Sequence, residues 1–553
     1  MKVVIIGGVA GGATAATRLR RLDETAEIVM FERGSYISFA NCGLPYYLGG
    51  EIKNEASLTI VTPDVFRDRF NVDVRTECNV ISIDRQDKSV AVRDLKKGVE
   101  YRERYDKLII ATGAAPIKPP LPGIDLPGVF TLRTIPDTNA IKKYISDNES
   151  KRAVVVGGGY IGIELAENLK KAGMDVTVVE LTDHLIVPLD YEMAAAVHNH
   201  LREKGVGIVL EDGVKSIEKT DSGLSAVLGK SALDADIVII AVGVRPDTAL
   251  AKQCGLDLDK RGCIVVNKNM RTSDPDIYAA GDSVQVENFV LKSPAFIPLG
   301  SPANKQGRIA ADNICGIASE YGGTQGTAIL RVFDMTVACT GINERDAIRE
   351  KITYDKVYFL HPSHARYFPG WNEMLVKVIF DTENGKILGA QITGFDGVDK
   401  RCDIFAAAIR FGANASDLTG LELCYAPPYG SAKELANFAG YAIENLMTGK
   451  VKQFHWHDVD SLPRDGSVTL IDVRNDMEAA PGSIEGFVRI PLERLRGEID
   501  KLDKSKPVYV HCKSGMKSYV ACRILSGHGF DCRSLAGGFT LYNSVAADRR
   551  DKS

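Results

Sequence analysis

The sequence predicts an α/β protein of several domains: two nucleotide-binding, three-layer domains on parallel sheets, a further domain, and a small separate α/β domain at the C-terminal end. Three observations predict it. A strand, a glycine turn, a helix, a second strand and a terminal acid follow one another twice, at Val3–Glu32 and at Ala153–Glu180. Two later apolar runs, Ile109-Ile110-Ala111-Thr112-Gly113 and Ile239-Ile240-Ala241-Val242-Gly243, end as strands leaving a nucleotide domain end, in small residues and Gly. After Met447-Thr448-Gly449-Lys450 the style changes, and Val468–Arg474 and Pro507–Cys512 read as short, buried parallel strands. With 553 residues, 45% hydrophobic and 25% charged, the chain is too long for one core.

The first unit runs from Lys2-Val3-Val4-Ile5-Ile6 into Gly7-Gly8-Val9-Ala10-Gly11-Gly12 and closes on Glu32. Such a βαβ unit sets a helix N-terminus against a pyrophosphate, lets glycine backbone approach it, and ends on an acid that accepts from a ribose hydroxyl. Val9 stands where the fingerprint has its middle glycine. The run Thr272–Asp282 reads as a strand that returns to this sheet and delivers the Asp282 carboxylate to a helix N-terminus. The second unit has the whole Rossmann-like fingerprint: Gly157-x-Gly159-x-x-Gly162 after Ala153–Val156, and Glu180 after Val176–Val179. Glu180 without an arginine directly behind it favours NADH, because a carboxylate repels a 2′-phosphate; NADPH stays open. The expected order is a first nucleotide domain over 1–150 and 271–325, a second inserted over 151–270, a domain over 326–446, and the last over 454–553.

Composition excludes several classes. A formal charge of −4 and the lack of any long basic block give no reason to expect nucleic acid or anionic lipid as partner. No apolar stretch approaches the ~20 residues that span a bilayer, and the N-terminal strand has neither the basic nor the apolar region of a signal peptide. The eleven cysteines form no C-x-x-C pair, which disfavours a zinc ribbon and a secreted disulfide framework; no metal site is expected, and a cytoplasmic protein is. Cys42 and Cys512 stand apart through their neighbours. Cys42 has no second cysteine before Cys78, so it has to work singly, holding half of a substrate as a mixed disulfide or cycling through a sulfenate. That chemistry asks for a lowered thiol pKa, which a site near a helix start over an electron-poor cofactor would supply.

These motifs, together with Ser38-Phe39-Ala40-Asn41-Cys42-Gly43-Leu44-Pro45 and Leu423-Cys424-Tyr425-Ala426-Pro427-Pro428-Tyr429, resemble the coenzyme A disulfide reductase branch of the pyridine nucleotide–disulfide oxidoreductases along residues 1–446. The resemblance implies FAD on the first domain, NAD(P)H on the second, coenzyme A as substrate or carrier, and an α+β dimerisation domain over 326–446 in a homodimer whose third domain completes the partner's active site. It implies cofactor contacts from Gly7, Val9, Ala10, Gly11, Gly12, Glu32 and Arg33, and from Ala111, Thr112 and Gly113. Further contacts fall to Gly157, Gly159, Tyr160, Ile161, Gly162 and Glu180, and to Gly243, Gly281, Asp282 and Ala303, with Tyr160 gating the nicotinamide pocket. Tyr367 and Tyr425 look like the catalytic tyrosine pair that reaches the Cys42 pocket, at least Tyr425 from the other subunit. Arg18 and Arg21, three residues apart on one helix face, match positions set against coenzyme A phosphates; Ser38, Asn41, Asn304 and Lys433 match other substrate positions. NADH peroxidases and oxidases also resemble the chain, but in the peroxidases a histidine usually occupies the place of Ala10, which cannot move protons.

Residues 454–553 resemble a single rhodanese domain through Ile471–Arg474, Gly482–Phe487, His511-Cys512-Lys513-Ser514-Gly515-Met516-Lys517-Ser518 and Ala536–Phe539. The loop follows a strand and precedes a helix, so backbone N–H groups are expected to converge on the Cys512 sulfur and stabilise a thiolate or persulfide. Lys517 stands where many rhodaneses close the loop with arginine; positive charge is kept and bidentate anion binding lost. The expected activity is NADH-dependent reduction of a sulfur–sulfur bond in a persulfide, a polysulfide or coenzyme A disulfide, with Cys512 handling sulfane sulfur. The alternatives are an NADH peroxidase or oxidase, and a thiosulfate or persulfide sulfurtransferase with an accessory reductase.

Overall fold

The computed structural model describes residues 1–551. The chain divides into two compact units, Met1–Leu181 with Asp212–Gly326, and Thr182–Glu211 with the chain from Thr327 onward.

In the first unit one parallel sheet has the order Ile277–Ala279, Lys107–Ile110, Lys2–Ile6, Glu27–Glu32, Asp73–Thr76. Its central strands are β-branched and apolar because both faces are covered: Val3, Val4 and Ile5 are fully buried. A single core joins them to Ala15, Ala16 and Leu19 of the helix Ala10–Leu22, to Ile309, Ala310 and Ala311 of the helix Gly300–Ile314, and to Val80, Ile83, Val90 and Val92 of an antiparallel sheet, which makes the expected three layers. The second parallel sheet is built the same way around Arg152–Val156, which pairs with Asp175–Val179 on one side and Ile237–Ile240 on the other. Sequence reading takes all of Thr272–Asp282 as a strand, but only Ile277–Ala279 is one; Thr272 to Asp276 form a turn in which the Thr272 and Asp274 side chains accept backbone N–H groups.

In the second unit an antiparallel sheet has the order Ala328–Val332, Met335–Gly341, Ile387–Gly394, Glu373–Asp381, Tyr354–Pro362. The last domain is a parallel sheet ordered Lys452–Phe454, Cys532–Leu535, Val508–His511, Thr469–Asp472, Val488–Arg489. Its first strand begins at Lys452, ahead of the expected start at 454, because Lys452–Phe454 pairs with Arg533–Leu535.

Residues 182–211 stand inside the expected second nucleotide domain yet cluster with the second unit. The reason is polar as well as apolar. Asp190 meets Lys377 Nζ at 2.6 Å, and the fully buried Asp548 carboxylate accepts from Tyr191 Oη at 2.8 Å, His198 Nδ1 at 3.0 Å and Arg202 Nη1 at 2.7 Å. No helix among the described residues is long and apolar enough to cross a membrane.

Candidate active site

The two glycine turns have one construction. Gly7 and Gly157 hold φ +103° and +109°, and a Cβ on them would fall 2.2 Å from Ala111 O and 2.4 Å from Ala241 O. Only glycine fits such a turn. Each turn then passes one N–H to the acid at the end of the next strand: Gly8 N–H donates to Glu32 Oε2 at 2.9 Å, and Gly158 N–H to Glu180 Oε2 at 2.7 Å. Val9 sits at φ −102°, which any L-residue adopts, so the departure from the fingerprint carries no strain. Gly159 has open space where a Cβ would stand. Two helix N-termini, each behind a glycine turn and an acid, fit two dinucleotides.

Around the first turn, Thr112 Oγ1 donates to Asp247 O at 2.5 Å, Asp247 N–H donates to Gly113 O at 2.9 Å, and Arg33 pairs with the Asp247 carboxylate at 2.9 Å. Asp247 gathers three of the expected residues and was not anticipated; nothing in its local sequence marks it. Gly281 N–H donates to Oε1 of the buried Gln306, whose helix also carries the buried Ala303. Asn304 is exposed and accepts from Thr14 Oγ1 at 2.7 Å. Gly243 and Ile161 are exposed.

Cys42 lies in a single 3₁₀ turn, Asn41–Gly43, that runs into the helix Leu44–Leu48. The segment before it is pinned to the glycine turn: Ser38 takes a left-handed φ of +45° and its N–H donates to Gly8 O at 2.9 Å, while its own carbonyl accepts from Ile60. A non-glycine residue in that conformation stores strain that the surroundings must hold. Cys42 is exposed, whereas Cys78 is buried. The helix start is where it was expected, but the thiol pKa moves the other way. Packed protein around the sulfur pushes it up, the charges of Glu164 and Asp282 add to that, and Arg133 alone opposes them. Burial likewise raises Asp282 against the pull of Arg133, which stands 3.6 Å away. A thiolate here therefore depends on positive charge supplied at the site.

Arg18 does not point free into solvent: its Nε donates to Asp312 Oδ1 at 2.6 Å, so its charge is already compensated, while Arg21 is exposed. Tyr367 and Tyr425 do come together, Oη to Oη at 2.9 Å, on an exposed face. Lys433 is exposed, and its carbonyl accepts from His361 Nε2.

Cys512 is fully buried at the end of Val508–His511. Gly515 N–H donates to its sulfur at 3.1 Å and Ser518 Oγ lies 3.3 Å away, itself receiving Ser534 Oγ–H at 2.9 Å. One backbone N–H reaches the sulfur, and the Ser518 hydroxyl beside it donates to Gly515 O at 3.0 Å, where a set of N–H groups was expected. Lys517 is also a correction: its ammonium donates to Glu478 at 2.8 Å and lies 3.9 Å from Glu493, so its charge is spent on carboxylates and does not face the loop unopposed.

The chain matches the pyridine nucleotide-disulphide oxidoreductase family over residues 1–303, the dimerisation domain of that family over 327–436 and the rhodanese-like domain over 456–544. It belongs to that family. Curated relatives include an NADH oxidase of Methanocaldococcus jannaschii, 36% identical over 79% of this chain and 98% of its own length, and a coenzyme A disulfide reductase of Staphylococcus haemolyticus, 34% identical over 80% and 100%. Among solved structures, the reduced Bacillus anthracis CoADR-RHD is 45% identical with a TM-score of 0.97 over 99% of this chain and 98% of that one. A NAD-dependent persulfide reductase from A. fulgidus is 37% identical with a TM-score of 0.92 over 98% and 100%. As a pyridine nucleotide-disulphide oxidoreductase this protein is an enzyme of FAD and a nicotinamide nucleotide, and the paired glycine turns have the shape those two cofactors need.

Proposed function

We propose that the protein is an NADH-dependent reductase of sulfur–sulfur bonds in a coenzyme A persulfide, a polysulfide or coenzyme A disulfide, and that its rhodanese domain passes sulfane sulfur to the carrier thiol. The observation that carries this reading is the accessible, solitary Cys42 at a helix start beside the glycine turn, on a chain that also holds Cys512 in a persulfide-type loop. When bound, FAD carries the electron pair of NADH to sulfur at Cys42. Glu32 and Glu180, each fixed by a glycine N–H, hold the two ribose ends, and Glu180 disfavours a 2′-phosphate. Arg133 stabilises the Cys42 thiolate against Glu164 and Asp282.

The thiolate attacks the substrate S–S bond. A bond forms between Cys42 and one half, the substrate bond breaks, and the other half leaves as hydrosulfide or as coenzyme A thiolate. Two electrons from NADH then cleave the bond at Cys42 and release the second half. Tyr367 and Tyr425, hydroxyl to hydroxyl, serve the Cys42 pocket of the partner in a homodimer and protonate the leaving thiolate. Arg21, Ser38, Asn41, Asn304 and Lys433 contact the carrier, while Arg18 acts through its pairing with Asp312. Eleven scattered cysteines with no C-x-x-C pair suit the reducing cytoplasm, and nothing in the charge of the chain calls for nucleic acid.

The relative named NADH oxidase supports a second reading, reduction of peroxide or dioxygen at a Cys42 sulfenate. The methyl group of Ala10, which opens the helix Ala10–Leu22, speaks against it because it offers no proton. Mass spectrometry of protein quenched during turnover with coenzyme A disulfide tests the proposal. A coenzyme A adduct on Cys42 is expected; steady turnover with no adduct on Cys42 would overturn it.

A further inference from the structure

Tyr367 stands in the connection between the strands Tyr354–Pro362 and Glu373–Asp381, whose register sets Pro362 opposite Glu373. That connection is tied down internally. Ser363 N–H donates to Asn372 O at 2.8 Å, Phe368 N–H to Ala365 O at 2.9 Å, and Ala365 N–H reaches Pro427 O at 3.3 Å, in the segment that carries Tyr425. Glu373, at the base of the connection, uses both carboxylate oxygens. Oε1 takes Arg366 Nη2 at 3.4 Å, with the Arg366 guanidinium 5.1 Å over the Trp371 ring; Oε2 takes Lys513 Nζ at 3.1 Å. Lys513 follows Cys512 directly, and Gly515 of the same loop faces the backbone carbonyl of Tyr358. One carboxylate thus joins the connection that presents Tyr367 to the loop that presents Cys512.

We propose that Glu373 is a positioning residue for sulfur hand-off: by holding Lys513 and Arg366 together it sets the Cys512 loop against the tyrosine-bearing connection, so that a thiol carrier leaves Cys512 loaded and in place for reduction. This rests on the reading that Cys512 delivers sulfane sulfur. At Cys512 the carrier thiolate attacks the outer sulfur of the persulfide. An S–S bond forms on the carrier, the Cys512 S–S bond breaks with Cys512 leaving as the thiolate, and no electrons leave the pair; NADH reduces the loaded carrier afterwards. Glu373 touches neither sulfur and acts only through the loop.

The test is anaerobic NADH oxidation by the full-length holoenzyme, wild type, Glu373→Gln, Glu373→Asp, Lys513→Met, the Glu373→Gln/Lys513→Met double variant and Cys512→Ser. Two substrates are compared: glutathione persulfide with coenzyme A, which on that reading is relayed through Cys512, and preformed coenzyme A persulfide, which is not. Glu373→Gln is expected to slow the first by roughly twofold to fivefold, the range of a partly exposed ion pair, and to leave the second unchanged. Glu373→Asp should recover most of the rate, and the double variant should be no slower than the worse single one. Equal loss on both substrates would show general damage and overturn the proposal. So would wild-type rates in Glu373→Gln when Cys512→Ser is slow. Wild-type rates in Cys512→Ser would remove the reading beneath it.

Discussion

Replacing Asp548 by Ala should unfold the second unit at markedly lower temperature. The carboxylate is fully buried and accepts three hydrogen bonds, from Tyr191 Oη, His198 Nδ1 and Arg202 Nη1 at 2.7–3.0 Å. Burial works against its charge, yet the bonds from His198, Arg202 and Tyr191 hold the carboxyl well below the usual range. Because His198 Nε2 accepts the Leu185 N–H at 3.0 Å, its proton sits on Nδ1 and points at Asp548. Alanine would take the shared acceptor away from a fully buried imidazole N–H and from the partly exposed Arg202 guanidinium and Tyr191 phenol. Breaking a buried charged network from one side costs about 3–5 kcal/mol. At roughly 2–4 °C per kcal/mol for a unit of this size, the melting temperature should fall by roughly 6–20 °C. Differential scanning calorimetry of the full chain reads it, with Asp531→Ala, which removes an exposed pair to Lys452, as a control expected to change little. A loss below about 1 kcal/mol for Asp548→Ala would refute the view that this carboxylate fastens the last domain to residues 182–211.

His511 is buried, and burial lowers its pKa to about 4, so only the unfolded chain takes up a proton as the pH falls from 6.5. Stability is therefore complete above 6.5 and lost toward pH 4, by ~3 kcal/mol for this residue; chemical denaturation from pH 7 to 4.5 should show a shallower loss in His511→Phe. For Cys42 the charges act in opposite senses: Glu164→Gln should move thiolate formation to lower pH and Arg133→Leu to higher pH, read from the pH dependence of alkylation, and the reverse order would be contrary to the site electrostatics. Glu478→Gln releases Lys517 from its carboxylate and should raise sulfur transfer from thiosulfate to cyanide several-fold, whereas an unchanged rate would mean that Lys517 has no part in anion binding. Glu180→Ser should narrow the preference for NADH over NADPH by about tenfold in kcat/KM, since it removes the carboxylate that repels a 2′-phosphate; an unaltered ratio would place that selectivity elsewhere.

What could be read from the sequence was local. Gly7, Gly157, Glu32 and Glu180 announce themselves because strand, turn, helix and acid are contiguous, and the fold class followed from repeating that pattern. Cys42 and Cys512 were legible for the same reason, each lying within one short turn before a helix. What escaped reading depends on partners far along the chain. Arg18 meets Asp312, Lys517 meets Glu478, and Asp247 collects Arg33, Thr112 and Gly113. No periodicity signals such pairings. The upward shift of the Cys42 thiol was missed on that account, because a helix start predicts one direction and burial, with the charges of Glu164 and Asp282 added to it, imposes the other. The helix Tyr191–Glu203 clusters with the second unit because Lys377 and Asp548, which hold its end and its flank, stand 187 and 346 positions beyond Asp190 and Arg202.

On the proposed function, Cys42 breaks sulfur–sulfur bonds with electrons from NADH. The most direct test is anaerobic steady-state NADH oxidation with coenzyme A persulfide, coenzyme A disulfide and hydrogen peroxide in parallel, using wild type and Cys42→Ser. Fast turnover on one or both sulfur substrates, slow turnover on peroxide, and loss of the sulfur activity in Cys42→Ser are expected. Peroxide as the best acceptor, or sulfur turnover that survives Cys42→Ser, would contradict that function.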